Sequence, residues 1–167
     1  MKTPLNDDNL AMLAASLAAE LKVHGRKLAT AESCTGGWIA KVCTDLAGSS
    51  EWFERGVVSY SNEAKQELIG VAAATIYRFG AVSEEVAAAM ASGVLAHSRA
   101  DYGISVSGIA GPGGGSPDKP VGTVCFGWAL PDEVLETETH LFAGDRDAIR
   151  RATVATALQG LLLRIGR

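Results

Sequence analysis

Residues 31–37 read Ala-Glu-Ser-Cys-Thr-Gly-Gly, a stretch with two side chains able to attack an electrophile, Ser33 and Cys34. It follows an apolar, strand-like run and opens onto a helix-like run. Side-chain hydroxyls and spare backbone N–H groups therefore converge there, which suits a bound anion or an oxyanion formed during a reaction. Ser33 reads either as a nucleophile or as the cap of the following helix, a frequent use of serine. Cys34 is the rival nucleophile, without a histidine near it in sequence; otherwise it is a small buried apolar side chain.

A serine hydroxyl needs a base. The pattern Ser-x-x-Lys is absent, because position 36 is Gly. Tyr60, Asn62 and Lys65 fall together in Ser59-Tyr60-Ser61-Asn62-Glu63-Ala64-Lys65, close enough for a turn and one helical turn to aim them at the same end of a sheet. A lysine can deprotonate serine only if burial or another cation lowers its pKa. The ordinary alternative is a solvated lysine on a helix surface.

Two further stretches bear on anions. Ser107-Gly108-Ile109-Ala110-Gly111-Pro112-Gly113-Gly114-Gly115 follows a strand pattern, and its N–H groups could surround a phosphate or a carbonyl oxygen. It is neither a Walker loop nor a dinucleotide fingerprint, since no Gly-Lys-Ser/Thr and no helix pattern follow; the alternative is a flexible connection. Arg146 opens the last helix pattern in Gly144-Asp145-Arg146-Asp147, where a cation is mildly unfavourable. Either it holds an anion, or it pairs with Asp145 or Asp147.

The elements that must position these groups alternate. Leu10, Leu13, Leu17 and Leu21 predict a helix over 8–24, capped by Asn6 or Asp7. A strand is predicted over 27–31, a helix over 36–46, a strand over 56–60 and a short helix over 62–69. Ser83, followed by Glu84 and Glu85, starts a clearer helix. Tyr102, Ile104 and Val106 alternate as a strand. Residues 108–122 hold six glycines and three of the five prolines, which marks a long and therefore functional or disordered loop. Residues 121–129 and 134–142 read as an antiparallel hairpin whose second strand has one wet face, and Asp145 caps a final helix. This order predicts an α/β fold, a three-layer α/β/α sandwich on a mixed sheet.

The chain of 167 residues suits a single domain over 1–167, with 47% hydrophobic residues for its core. A net charge of −4 argues against broad attraction to nucleic acid or to an anionic membrane. Cys34, Cys43 and Cys125 form no CxxC pair, which favours a reducing cytoplasm. No signal pattern and no membrane-length apolar run is present. His24, His97 and His140 lie far apart, so no metal site is expected.

The segments at 31–37, 56–65, 80–83, 106–112 and 119–124 together resemble the C-terminal domain of the CinA competence/damage-inducible family, over about residues 8–162. The closer likeness is to its stand-alone amidases; larger members carry a further N-terminal domain, for which this chain leaves no room. The resemblance implies hydrolysis of nicotinamide mononucleotide to nicotinate mononucleotide and ammonia. It implies Ser33 as nucleophile, Lys65 with Tyr60 beside it as the base, and Arg146 as the arginine near the last helix. It further implies no metal or organic cofactor, a small nucleotide as the only ligand, and a homodimer or larger assembly. Oxyanion donors are then expected among Thr35, Gly36 and Gly37 or at Gly108. Asn62, Ser107, Gly111 and Arg146 are expected on the nucleotide. The competing expectation is a non-catalytic nucleotide-binding or regulatory module with Ser33 as a cap.

Overall fold

The computed structural model describes residues 5–165. Five strands form one sheet in the order β2-β1-β3-β4-β5. These are β1 (Leu28–Glu32), β2 (Phe53–Val58), β3 (Tyr102–Gly108), β4 (Thr123–Ala129) and β5 (Leu135–Leu141). β1 runs parallel to both β2 and β3, whereas β3/β4 and β4/β5 are antiparallel. Six α-helices surround the sheet: α1 (Asp7–Val23), α2 (Trp38–Thr44), α3 (Asn62–Ile69), α4 (Ala73–Phe79), α5 (Glu84–Ala96) and α6 (Arg146–Leu162).

The strand period of two divides the core. Leu28 packs with Leu10, Leu17, Ile39, Leu158 and Leu161 of α1, α2 and α6. Its neighbours Ala29 and Ala31 pack with Ile69, Ile76, Val86 and Met90 of α3, α4 and α5. The three-layer α/β/α sandwich on a mixed sheet follows. Abundant Ala and Gly bring α5 close to the sheet: a Cβ at Gly127 would lie 2.5 Å from the Ala87 carbonyl oxygen. Ser105 Oγ donates to that same oxygen.

The predicted elements differ from the structure in instructive places. The second helix begins at Trp38 because Gly36 and Gly37 take φ of 60° and 99°, outside helical space. β2 starts earlier, at Phe53, and ends at Val58. α4 had no counterpart in the sequence reading; its cap position is Ala72, which offers no side-chain hydrogen bond. In β5 the exposed residues include Leu135, Thr139 and Leu141. Glu136, Glu138 and His140 lie on the other, partly covered face, where Arg164 and the ring of Phe126 contact them.

The three parallel strands end together at Glu32, Val58 and Gly108. The chain leaves β1 for β2 on one side and returns past it to β3 on the other. The carboxyl end of β1 is therefore the crevice of an open α/β sheet where ligands ordinarily sit.

Candidate active site

Strand alternation at the end of β1 sends Glu32 and Ser33 to opposite layers. Ser33 continues the Ala29–Ala31 face and meets α3. Ser61 caps α3, with its hydroxyl accepting from the Ala64 N–H at 3.0 Å. The buried stripe of α3 is Lys65 and Ile69, four residues apart, while Glu63 and Glu67 face solvent. Helical periodicity thus places a lysine on the inner face, and Lys65 is 1% exposed.

The Lys65 ammonium has three neighbours. Its Nζ lies 3.0 Å from Ser33 Oγ, 2.9 Å from the Ser59 carbonyl oxygen and 3.0 Å from the Tyr60 carbonyl oxygen. No carboxylate pairs with it among the described residues. Burial holds its pKa below the ordinary lysine value, with a lesser opposing influence from Cys34. Two of the three neighbours can only accept. When the amine is neutral its two protons satisfy those carbonyls, and its lone pair is left facing the one partner that can donate, the Ser33 hydroxyl. When it is charged, Ser33 can turn its proton to the Tyr60 carbonyl, 3.4 Å away. Both protonation states therefore have a complete set of partners.

Ser33 is not a helix cap. The cap position of α2 is Gly37, which makes no side-chain cap bond. Nor is Cys34 a thiolate: burial pushes its pKa up to about 12.

Glu32 points into the other layer. Its carboxylate accepts from Thr35 Oγ1 at 2.5 Å, the Ile39 N–H at 2.8 Å and the Ala40 N–H at 3.1 Å. Burial raises its pKa, and these donors, with the Gly37 N–H, oppose the rise. The amino end of α2 is thus filled by the protein's own anion, correcting the reading of that end as open to an oxyanion or phosphate. Thr35, Gly36 and Gly37 lie outside the cavity around Ser33, and the Gly36 N–H is committed to the Ser33 carbonyl. Among the described residues the Cys34 and Thr35 N–H groups have no backbone acceptor.

That cavity, about 200 Å³, is lined by Ser33, Cys34, Tyr60, Asn62, Lys65, Ser107, Gly108 and Arg146 together with Ala81, Val82 and Ala110. Tyr60 reaches Lys65 and Ser33 through its backbone carbonyl; its side chain is largely exposed at the cavity wall. Ser107 Oγ donates to the Ala81 carbonyl and ties β3 to the segment before α5. A Cβ at Gly108 would lie 2.6 Å from Val124 Cγ2, so glycine is required there by β4. Gly111 lies outside the cavity lining, but its carbonyl accepts from Arg146 Nη1 at 2.7 Å. Arg146 pairs with neither of its acidic neighbours: Asp145 caps α6 and Asp147 faces Arg151. Gly113, Gly114 and Gly115 are exposed and line no part of the cavity.

Arg150 was not singled out by its sequence. It lies one helical turn beyond Arg146 and holds the turn after Ser33, donating from Nε to the Cys34 carbonyl and from Nη2 to the Thr35 carbonyl, both at 3.0 Å. Its partners are backbone atoms, which no sequence pattern marks. Its spacing of four from Arg146 on one helix was the available signal.

The CinA C-terminal domain family model matches residues 10–165. A protein of Escherichia coli strain K12 named nicotinamide-nucleotide amidohydrolase PncC is 55% identical over 157 residues, covering 94% of this chain and 95% of that protein. A Pseudomonas putida protein of the same name is 48% identical, over 93% of this chain and 96% of that one. Among solved structures, the competence/damage-inducible protein CihA from Agrobacterium tumefaciens superposes with a TM-score of 0.92 at 40% identity, over the whole of both chains. No helix among the described residues is long and apolar enough to cross a membrane.

Proposed function

The chain belongs to the CinA C-terminal domain family, and from that premise we propose that it is a serine amidohydrolase converting nicotinamide mononucleotide to nicotinate mononucleotide and ammonia. The observation that carries this reading is the buried Lys65 amine 3.0 Å from Ser33 Oγ, with only neutral acceptors around it.

The chemistry follows from that contact. Ser33 Oγ attacks the carboxamide carbon while its proton passes to neutral Lys65. The resulting oxyanion is met by the spare N–H group of Cys34, which lines the cavity next to the nucleophile. Loss of one such donor typically slows turnover by about 10²–10³. Lys65 then hands the proton to the departing nitrogen, the C–N bond breaks and ammonia leaves. Water attacks the nicotinoyl ester, gives its proton to Lys65, and the acid is released as Ser33 recovers that proton. Tyr60 contributes a carbonyl to hold the amine and an aromatic ring at the cavity wall, where a pyridinium cation can rest against it. Arg146, with donors left over from Gly111, takes the phosphate, and Asn62 and Ser107 line its path. The same reading places the protein in pyridine-nucleotide recycling in the cytoplasm as a homodimer or larger assembly, in keeping with its three buried, unpaired cysteines.

The competing module, a phosphate cradle at the amino end of α2, is disfavoured because Glu32 fills that end. An ammonia-release assay with the mononucleotide and with free nicotinamide side by side tests the function. The expected result is release from the mononucleotide only, and none from Ser33→Ala, which still binds the nucleotide. Full turnover by Ser33→Ala removes the serine route.

A further inference from the structure

We propose that Arg150 is a positioning residue that, through the turn after Ser33, orients and polarises its oxyanion donor, the Cys34 N–H. The inference rests on the serine-amidase reading above. A trans peptide is planar, so its C=O and N–H point in opposite directions. The Cys34 carbonyl is held by Arg150 Nε at 3.0 Å, which turns the N–H of the same peptide, that of Thr35, away from Arg150. The Thr35 carbonyl, held by Nη2 at 3.0 Å, fixes the next peptide, whose Gly36 N–H closes the turn on the Ser33 carbonyl and so turns the N–H of that carbonyl's own peptide, that of Cys34, the opposite way. One guanidinium thus sets two successive peptide planes, a task its rigid fork suits and a lysine's single point charge does not.

Charge adds to geometry. A cation on a carbonyl oxygen draws electron density from the peptide nitrogen and makes its N–H a stronger donor. Arg150 is free to act this way because no carboxylate neutralises it among the described residues; the nearby acids Asp7 and Asp147 are engaged by Arg151. The face of Trp38 receives the guanidinium, with Cζ 5.2 Å from the ring centroid, and keeps it from swinging to solvent. Glu32 holds the Thr35 hydroxyl, so a carboxyl group and a guanidinium both fix the turn.

Arg150→Met keeps a stem to pack on Trp38 and loses both donors; Arg150→Lys keeps the charge and loses the fork. Each is measured by ammonia release from the mononucleotide, by the rate of Ser33 labelling with a fluorophosphonate followed by intact mass, and by thermal melting. In the labelling step the Ser33 Oγ–P bond forms, the P–F bond breaks, fluoride leaves and the proton goes to Lys65. Because Arg150 acts through the donor and does not replace it, the expected loss lies below that of deleting a donor, about tenfold to a hundredfold in kcat for Arg150→Met. KM stays near wild type, labelling slows in parallel, and Arg150→Lys recovers part of the loss. Unchanged kcat and labelling in a folded Arg150→Met overturn the proposal. A rise in KM with kcat intact also overturns it, by making Arg150 a ligand contact. If kcat falls only as far as the melted fraction rises, the role is structural and the proposal fails. If the wild type is labelled but releases no ammonia, the assigned substrate is wrong, while the labelling comparison still decides Arg150. If the wild type is not labelled at Ser33, both readings fall.

Discussion

Two cations are buried among the described residues, and their surroundings differ in kind. Lys65 is 1% exposed and faces a hydroxyl and two carbonyls. Arg164 is 8% exposed and meets Glu136 and Glu138, each at 2.7 Å, with its guanidinium 4.0 Å from the centre of the Trp128 ring. A cation given carboxylates and an aromatic face keeps its charge, which ties the end of α6 to β5. A cation given only neutral acceptors has its pKa pushed down by burial. Burial alone therefore does not decide how firmly a cation keeps its proton; the charge of its partners counts as well.

The largest effect should come from Lys65→Met. General acid–base assistance contributes about 10²–10⁴ in rate, and kcat should fall by that order with little change in KM. The fold should tolerate it. Because the folded-state pKa of Lys65 lies below its unfolded value, burying the charged amine costs stability below that folded pKa, and the cost fades as pH rises towards the unfolded value. Melting curves should therefore favour Lys65→Met over wild type most in acid and least in alkali. Steady-state assays should show the wild-type rate climbing with pH through a midpoint below the ordinary lysine pKa. A rate independent of pH across that range would mean the amine is not the base.

Arg164→Met should do the reverse, sparing kcat and lowering stability. Removing one member of a fully buried pair costs about 3–5 kcal/mol, but Glu136 and Glu138 side chains are 37% and 43% exposed and can regain water, so about 1–2 kcal/mol is expected. Denaturant titration measures it. Equal loss of activity and stability would erase the distinction between the two cations.

The same contrast explains what the sequence discloses. Ser33 and Lys65 sit at legible places, the end of an apolar strand and the inner stripe of a capped helix, and the family likeness links them across 32 residues. The sheet and its hairpin follow from alternation and turn residues. Glu32 was harder to read, because its carboxylate answers N–H groups of α2 and not a charged partner. Arg150 was hidden for the mirror reason, as it answers two carbonyls. Glu136 and Glu138 resemble a solvated strand face, and only Arg164, some 26–28 residues on, turns that face inward. Side chains that bind backbone, or that pair across long stretches of chain, leave no local pattern.

The smallest effect sharpens the structural side of the comparison. Glu138 has its pKa lowered first by the bond to His140 and then by Arg164. A carboxylate lowered in the fold contributes stability that is present above its unfolded pKa and lost as pH falls through the folded value. Wild-type melting temperature should therefore drop as pH is taken below the ordinary glutamate value of 4.5. In Glu138→Gln this acid loss should be shallower, while His140→Ala should remove only its own share, because the 2.7 Å contact with Arg164 remains. Since Glu138 is half in water, each difference should amount to about 1 kcal/mol or less. If Glu138→Gln kept the full acid dependence, the carboxylates around Arg164 would not be what distinguishes it from Lys65, and the contrast would have to rest on the Trp128 ring.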